Sequence, residues 1–460
     1  MTTHAVRKVS HSGIGYSIVE LNDVRHVFAA AAPRRGDTLD QQADDALGTI
    51  EAVIGEHGAR GSIVHQAVFL RDLGQIDRCR AIIREFYGDE MPATSYIPQP
   101  PCDGKLLSIE ALGVGRGLGE VRIERRSEQL VIARHNGIAW IHAAQAVPQT
   151  ASMGVYEQSL CALRQLRALV ESAGARFDQV VRTWLYLGGI VDDDGPTQRY
   201  MELNRARTDF YEGISFLADR LPKDYARTVY PASTGIGTDG RGICMSAIAL
   251  VTDREDIVAV PLENPRQTSA FDYAQSYSPK SPKFARAMAL SCGQYTTIFI
   301  SGTASITASE TRHIDDAANQ TGETLDNIAA LISEDNLHEH GLPGLGTSLE
   351  GLGLVRVYIK RPEDYAAVRT VCERRLGELP TIYAIGDVCR PHLLVEIEGI
   401  AFSCKVPSAT GPLTPPVRMD SRHEPSARRD AEGSLASMAA TTRPGNANRS
   451  RQDHLGKSPK

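Results

Sequence analysis

One pattern of residues occurs three times along this chain, and that repetition constrains the fold more than any other feature. Each copy opens on a helical segment in which a Gln is followed five residues later by a Leu: Gln42 and Leu47, Gln158 and Leu163, Gln320 and Leu325. A strand rich in β-branched and aromatic residues comes next (SIVHQAVFL, VVRTWLYL and LVRVYIK in turn). A second helical segment, a strand led by Pro and a closing apolar strand complete the unit. From the Gln to the aromatic end of the first strand is 27 positions for Gln42 to Phe69 and 28 for Gln158 to Tyr186, but 38 for Gln320 to Tyr358. Loops absorb insertions more readily than packed elements, so the extra length is assigned to the loop GLPGLGTSLEG.

The patterning gives each segment its type. Leu160, Leu163, Leu166 and Leu169 fall on one helical stripe. In the last closing strand Leu394, Glu396 and Glu398 point one way, and Val395, Ile397 and Gly399 the other. The order ββ-α-β-α-ββ predicts an α+β unit with both helices on one face of a sheet. The uncovered face then needs a partner. Three copies in one chain can supply it to each other, which predicts an intramolecular pseudo-trimer with sheets inside and helices outside, monomeric as a whole. The expected domains are 1–120, 121–258 and 259–412. Residues 413–460, rich in Arg, Ser and Ala and almost without aromatics, cannot bury a core and are expected to be a disordered tail.

Charge and composition exclude several classes. A net charge of −6 over 460 residues offers no footprint for nucleic acid or an anionic membrane. No apolar stretch suits a signal peptide or a membrane span, and the eight cysteines are scattered without a CxxC pair. A reducing, cytoplasmic setting is expected. No cluster of His and Cys has metal-ligand spacing, so neither a metal nor a cofactor is expected.

Glu396 is the candidate catalytic group. It lies in an apolar strand, and Glu398 shares its face about 7 Å away. Burial and a neighbouring like charge both raise a carboxyl pKa, which suits a general acid. The same Glu-x-Glu spacing also fits the polar face of a half-exposed strand. Aligning the three closing strands puts Ser108 and Cys244 opposite Glu396, so only the third copy carries the acid.

The third copy, with FISGTASI (299–306), Gln320 and LVEIEGIAF (394–402), resembles the Rid/YjgF family. A sharper resemblance covers roughly 130–403. There NGIAW, VRTWLYLGG, PASTGIG, LENP, YSPKSPKFARA, SGTASI and DVCRPHLLVEIEG are similar, in order, to the chorismatases. That resemblance implies two Rid-like halves with a single active site in the C-terminal one. It implies cleavage of chorismate, a dianionic small molecule, with release of pyruvate, and it puts the catalytic acid at Glu396. Gly302 and Cys389 match the subtype that forms 3-hydroxybenzoate, in which the thiol assists rearomatisation of the ring. After SGTASI the family tends to have Gly-His; here Ala308-Ser309 stand there. Rid deaminases carry an Arg after the Pro-Ala of the fourth strand, and Thr94, Ser233 and Ile382 occupy those positions, which argues against that activity. A divergent enzyme acting on another enol ether, enamine or imine, or a non-catalytic scaffold, is the alternative.

Two substrate carboxylates need partners. Arg286, Arg182 and Arg390 are the candidates, because a guanidinium fork binds a carboxylate through two bonds. Gly302 would let the substrate come close. Thr234 in the TGIG segment would sit in a small nest of backbone N–H groups. Tyr277 would cap the pocket, and Glu398 would line it. His313 and Asp316 are expected to organise the loop before the third helix.

Overall fold

Three six-stranded sheets follow one another in the computed structural model, which describes residues 6–405 apart from 12, 60, 150–152, 224 and 274–279. The first module contains β1 (Val6–His11), β2 (Ile14–Leu21), β3 (Val24–Ala31), α1 (Leu39–Glu56), β4 (Ile63–Leu70), α2 (Ile76–Tyr87), β5 (Ala93–Ile97) and β6 (Leu107–Gly115). The second runs β7 (Arg122–Ser127), β8 (Leu130–His135), β9 (Ile138–Ala146), α3 (Val155–Ser172), β10 (Val180–Gly188), α4 (Arg199–Tyr211), β11 (Ala232–Thr238) and β12 (Ile243–Thr252). The third has β13 (Ile257–Leu262), β14 (Ala287–Cys292), β15 (Tyr295–Ala304), α5 (Ala317–Ile332), α6 (Glu334–Glu339), β16 (Leu352–Ile359), α7 (Tyr365–Leu376), β17 (Thr381–Ile385) and β18 (Val395–Cys404). The tail expected at 413–460 and Tyr277 lie outside the described residues.

All three sheets have one topology, β1-β2-β3-β6-β4-β5 and its two counterparts, antiparallel except for the fourth and fifth strands of each module. The expected ββ opening is corrected to βββ, because β1, β7 and β13 each add an outer strand. An edge strand needs little apolar alternation. β7, with the sequence RIERRS, has no buried residue and gave no strand signal. The third sheet accordingly starts at Ile257, ahead of the expected boundary at 259.

The repeated Gln has a structural task. Gln42 donates to the Gly36 carbonyl (3.0 Å) and accepts from the Leu106 N–H (2.8 Å). Gln320 donates to the carbonyls of His313 (3.1 Å) and His392 (2.8 Å) and accepts from the Leu394 N–H (2.7 Å). The side chain thus clips the loop before the helix to the start of the closing strand. In the third module that clip fixes the backbone two residues before Glu396.

One face of each sheet is covered by helices. Leu47, Ile50 and Ile54 of α1 pack with Val68 and Ile109, and Leu325, Ile328 and Leu331 of α5 with Ile298 and Ile397. Each such side chain contributes about 1.5–3 kcal/mol on leaving water. The other faces share an apolar cluster that takes Phe28 and Phe69 from the first sheet, Trp184 and Ile248 from the second, and Phe299 and Phe402 from the third. One contact recurs at every junction between modules. β5 meets β9, β11 meets β15, and β17 meets β3, so the fifth strand of each module lies against the third strand of the next. Among the described residues no helix is long and apolar enough to cross a membrane.

Candidate active site

Strand β18 aims Glu396 and Glu398 at the boundary between the second and third modules, with 5% and 2% of each residue exposed. Their surroundings differ sharply. Glu398 accepts from Arg182 and Thr234, from Arg356 Nη1 (3.0 Å), from Tyr358 OH (2.8 Å) and from Trp184 Nε1 (3.0 Å). Burial alone would raise this carboxyl. Arg182 and Arg356, with the hydroxyls of Thr234 and Tyr358, bring it below the ordinary carboxyl range instead. Arg356 is held in turn by a two-pronged pair with Glu110 of the first module (2.7 Å each) and by Tyr186 OH (2.8 Å). The front module therefore reaches the site through Glu110.

Glu396 lacks such compensation. Burial raises its carboxyl first, the Glu398 charge adds to it, and Arg182 and Arg286 offset only part, leaving it at about 8. A carboxyl at that value is mostly protonated at neutral pH and can donate its proton. β15 makes room for it. The register with β18 shifts between Ile300 and Thr303, a bulge that holds Gly302 beside the acid. A Cβ at Gly302 would lie 2.0 Å from Glu396 Oε1, so any larger residue would displace the acid from this position. Thr234 Oγ1 accepts from the Gly302 N–H (2.9 Å), which ties β11 to the bulge.

The expected site residues fall into two groups. Arg286 is 3% exposed and donates to Tyr273 OH (2.6 Å) and the Thr268 carbonyl (2.9 Å), and it acts electrostatically on Glu396 and Cys389. Cys389 is half-buried in the loop before β18; burial, then Glu396, push its thiol up to about 12. Arg390 lies over the Tyr273 ring (5.1 Å) and donates to the Ser309 carbonyl (2.8 Å). These surround the acid. Arg182 and Glu398, also expected to touch substrate, bind each other in a buried charge layer beside it. The expected nest at TGIG is corrected: Gly235 and Gly237 lie in the straight strand β11, paired in parallel with β10. Asp316 caps α5 by accepting from the Asn319 N–H (2.9 Å), which is the loop role expected of it.

Three residues were missed. Arg207 on α4 is 1% exposed and donates to Asn204 Oδ1 (2.6 Å), with Nη1 at 3.4 Å from Ser233 Oγ. Among the described residues its Nε has no hydrogen-bond partner and its guanidinium forms no salt bridge. A guanidinium thus reaches, from a helix, the position after the Pro-Ala that leads strand β11. Tyr200, one helical face along, feels both Cys389 and Glu396, and burial raises its phenol. Glu263, in the LENP segment, has its carboxyl raised by burial to about 7 and sits behind Arg286. The signal for Arg207 was available in the spacing Tyr200, Asn204, Arg207, Tyr211, which places all four on one stripe of α4, buried at the last three.

No protein-family model matches the chain. A chorismatase from Streptomyces rapamycinicus is 35% identical over 274 residues, which cover 58% of this chain and 77% of that protein. The chain belongs to the chorismatase family. A 3-hydroxybenzoate synthase from Streptomyces hygroscopicus is 34% identical over 278 residues, covering 58% of this chain and 76% of that protein. A chorismatase crystal structure superposes with a TM-score of 0.57 at 24% identity, over 74% of this chain and 93% of the other, so the chorismatase fold extends over most of the chain.

Proposed function

We propose that this chain cleaves the enolpyruvyl ether of chorismate, releasing pyruvate and forming 3-hydroxybenzoate. The observation that carries the reading is Glu396, a buried carboxyl raised to about 8 beside an ionised one, with Gly302 and Cys389 in contact range of the same space.

In the proposed reaction the Glu396 carboxylic acid gives its proton to the terminal methylene carbon. The C=C electron pair forms the new C–H bond and leaves an oxocarbenium ion, while Glu396 becomes a carboxylate facing Arg182 and Arg286. Water captures the cation and its proton returns to Glu396. Breakdown of that adduct breaks the ether bond and frees pyruvate. Loss of the elements of water from the ring, assisted by Cys389, gives the aromatic acid. Arg207 and Arg286, with Arg390 behind them, are proposed to bind the two substrate carboxylates. Proton transfer needs no further group. The first two modules act as walls and supports, the three together forming one monomeric pseudo-trimer. The eight free cysteines support a reducing, cytoplasmic setting.

The test is incubation of the purified protein with chorismate and product identification by mass spectrometry. Equal amounts of pyruvate and 3-hydroxybenzoate are expected. Pyruvate with only a dihydroxycyclohexadiene acid would remove the subtype assignment, and no pyruvate at all would remove the reaction.

A further inference from the structure

A cavity of about 130 Å³ lies between the three sheets, lined by Arg182 and Glu398 but not by Glu396. Its rim is built by one hairpin turn from each module. Asn22–Asp23, Asn136–Gly137 and Gly293 all hold positive φ, as tight turns between twisted strands require. The turns are tied together: Asn22 donates to the Cys292 sulfur (3.1 Å), and Asn136 to the Leu21 carbonyl (3.3 Å). The floor is the ion-paired layer of Glu110, Arg356, Glu398 and Arg182.

Between rim and floor the wall is apolar and aromatic, interrupted by four histidines, His26, His65, His135 and His142. Their rings lie close together: 5.1 Å between the centroids of His26 and His135, and 5.6 Å between those of His65 and His142. Among the described residues the Nδ1 atoms of His26, His65 and His142, the Nε1 of Trp140 and the Nη1 of Arg182 have no hydrogen-bond partner, although the three histidines are 8%, 6% and 3% exposed. Leaving so many buried polar atoms unmet costs about 1–3 kcal/mol each. The proposed reaction uses none of these histidines.

We propose that this central cavity is a second ligand site, built for a neutral six-membered ring bearing a hydroxyl group, the phenol class. Four observations define that class. A cavity of this size holds one benzene-sized ring. Phe28, Trp140, Phe299 and Phe402 offer ring faces and edges for it to pack on. The orphan atoms include both ring nitrogens able to accept and N–H groups able only to donate, and a hydroxyl serves both where a carboxylate only accepts. The two arginines of the floor are matched by two glutamates, so nothing remains to balance a charged ligand. Burial also keeps the histidines neutral, at about 3 for His26 and His142 and about 4 for His135. Among the described residues no group of three or more metal-ligating side chains converges, which sets this site apart from a metal centre. The inference does not depend on the reaction proposed above.

Phenol is the probe, titrated calorimetrically into the full chain and soaked into crystals, with benzene as the control. One phenol per chain is expected, with ring density in the cavity, binding at least tenfold tighter than benzene. His65→Leu should weaken phenol about tenfold and leave benzene unchanged. Leu112→Trp, which fills the cavity, should abolish both. Density for waters alone, phenol seen only beside Glu396, or equal affinity for phenol and benzene would each overturn the proposal. The wild-type soak decides it even if a variant does not fold.

Discussion

The closing strands of the first and third modules, β6 and β18, carry an acid at the same place and differ at the position two residues before it. Glu110 and Glu398 both bind Arg356, one by a two-pronged pair and the other at 3.0 Å. Two residues earlier stand Ser108 and Glu396, opposite Phe69 and Tyr358 in register. The difference teaches where a usable proton comes from. The Arg356 guanidinium at the sheet junction is taken by Glu110 and Glu398, one from each strand. The extra acid of β18 is left among partial charges and a neighbouring anion, and it therefore stays protonated. Burial alone does not make the acid; burial beside a better-served carboxylate does.

The largest expected effect tests that statement directly. Glu396→Gln should reduce turnover by about 10²–10⁴-fold, the range of a general acid, with an unchanged fold by circular dichroism. Wild-type activity should fall as pH rises through about 8, and the variant should show no such limb. Stability gives an independent reading. The folded pKa is raised, so the native state holds a proton that the unfolded chain has lost, and wild-type stability declines from about 4.5 to about 8. Glu396→Gln should lack that decline. Parallel denaturation curves for the two proteins across this window would contradict the raised carboxyl.

Glu110→Gln probes the other half of the comparison. It removes the main partner of a buried guanidinium and should cost about 3 kcal/mol in chemical denaturation. A loss below about 1 kcal/mol would mean that the first module does not support the charge layer. Arg207→Met should raise KM for the dianionic substrate by about 10–100-fold, the worth of one charge-assisted hydrogen bond, while melting changes little. Gly302→Ala should lower kcat by about tenfold and shift product away from the aromatic acid, since the added methyl must move Glu396.

What could be read from the chain in advance follows a physical divide. The threefold unit was legible because the repeated Gln answers a local need: Gln42, Gln158 and Gln320 each hold the loop before their helix, Gln42 and Gln320 also pin it to the closing strand, and such needs repeat with the fold. Glu396 was legible because alternation along one strand fixes its face. The partners of Glu398 were not, because Arg182 lies 216 residues away and Glu110 joins only through Arg356. Arg207 escaped because an Arg on a helix with several others reads as solvated surface; its burial depends on the strand β11 that covers it. The outer strands β1 and β7 escaped because hydrogen bonding to one neighbour, not burial, defines them, whereas β13 is buried at five of its six residues.

The smallest expected effect is the most exacting for the comparison. The junction of the third and first modules also has a cavity, of about 330 Å³, lined by Ser108, Tyr365, Cys372 and Tyr383. It matches the acid's surroundings place for place: Ser108 for Glu396, Tyr365 for Tyr200, and, seven residues after each tyrosine, Cys372 for Arg207. Arg369 is nearby but paired with Glu373 at 2.7 Å on the same helix. An acid placed here would be buried and protonated, yet no free guanidinium would hold a dianionic substrate against it. The double variant Glu396→Gln/Ser108→Glu should therefore release pyruvate no faster than Glu396→Gln alone. Any release above that background would show that a desolvated carboxyl suffices without the arginines, and the distinction drawn between the two modules would fail.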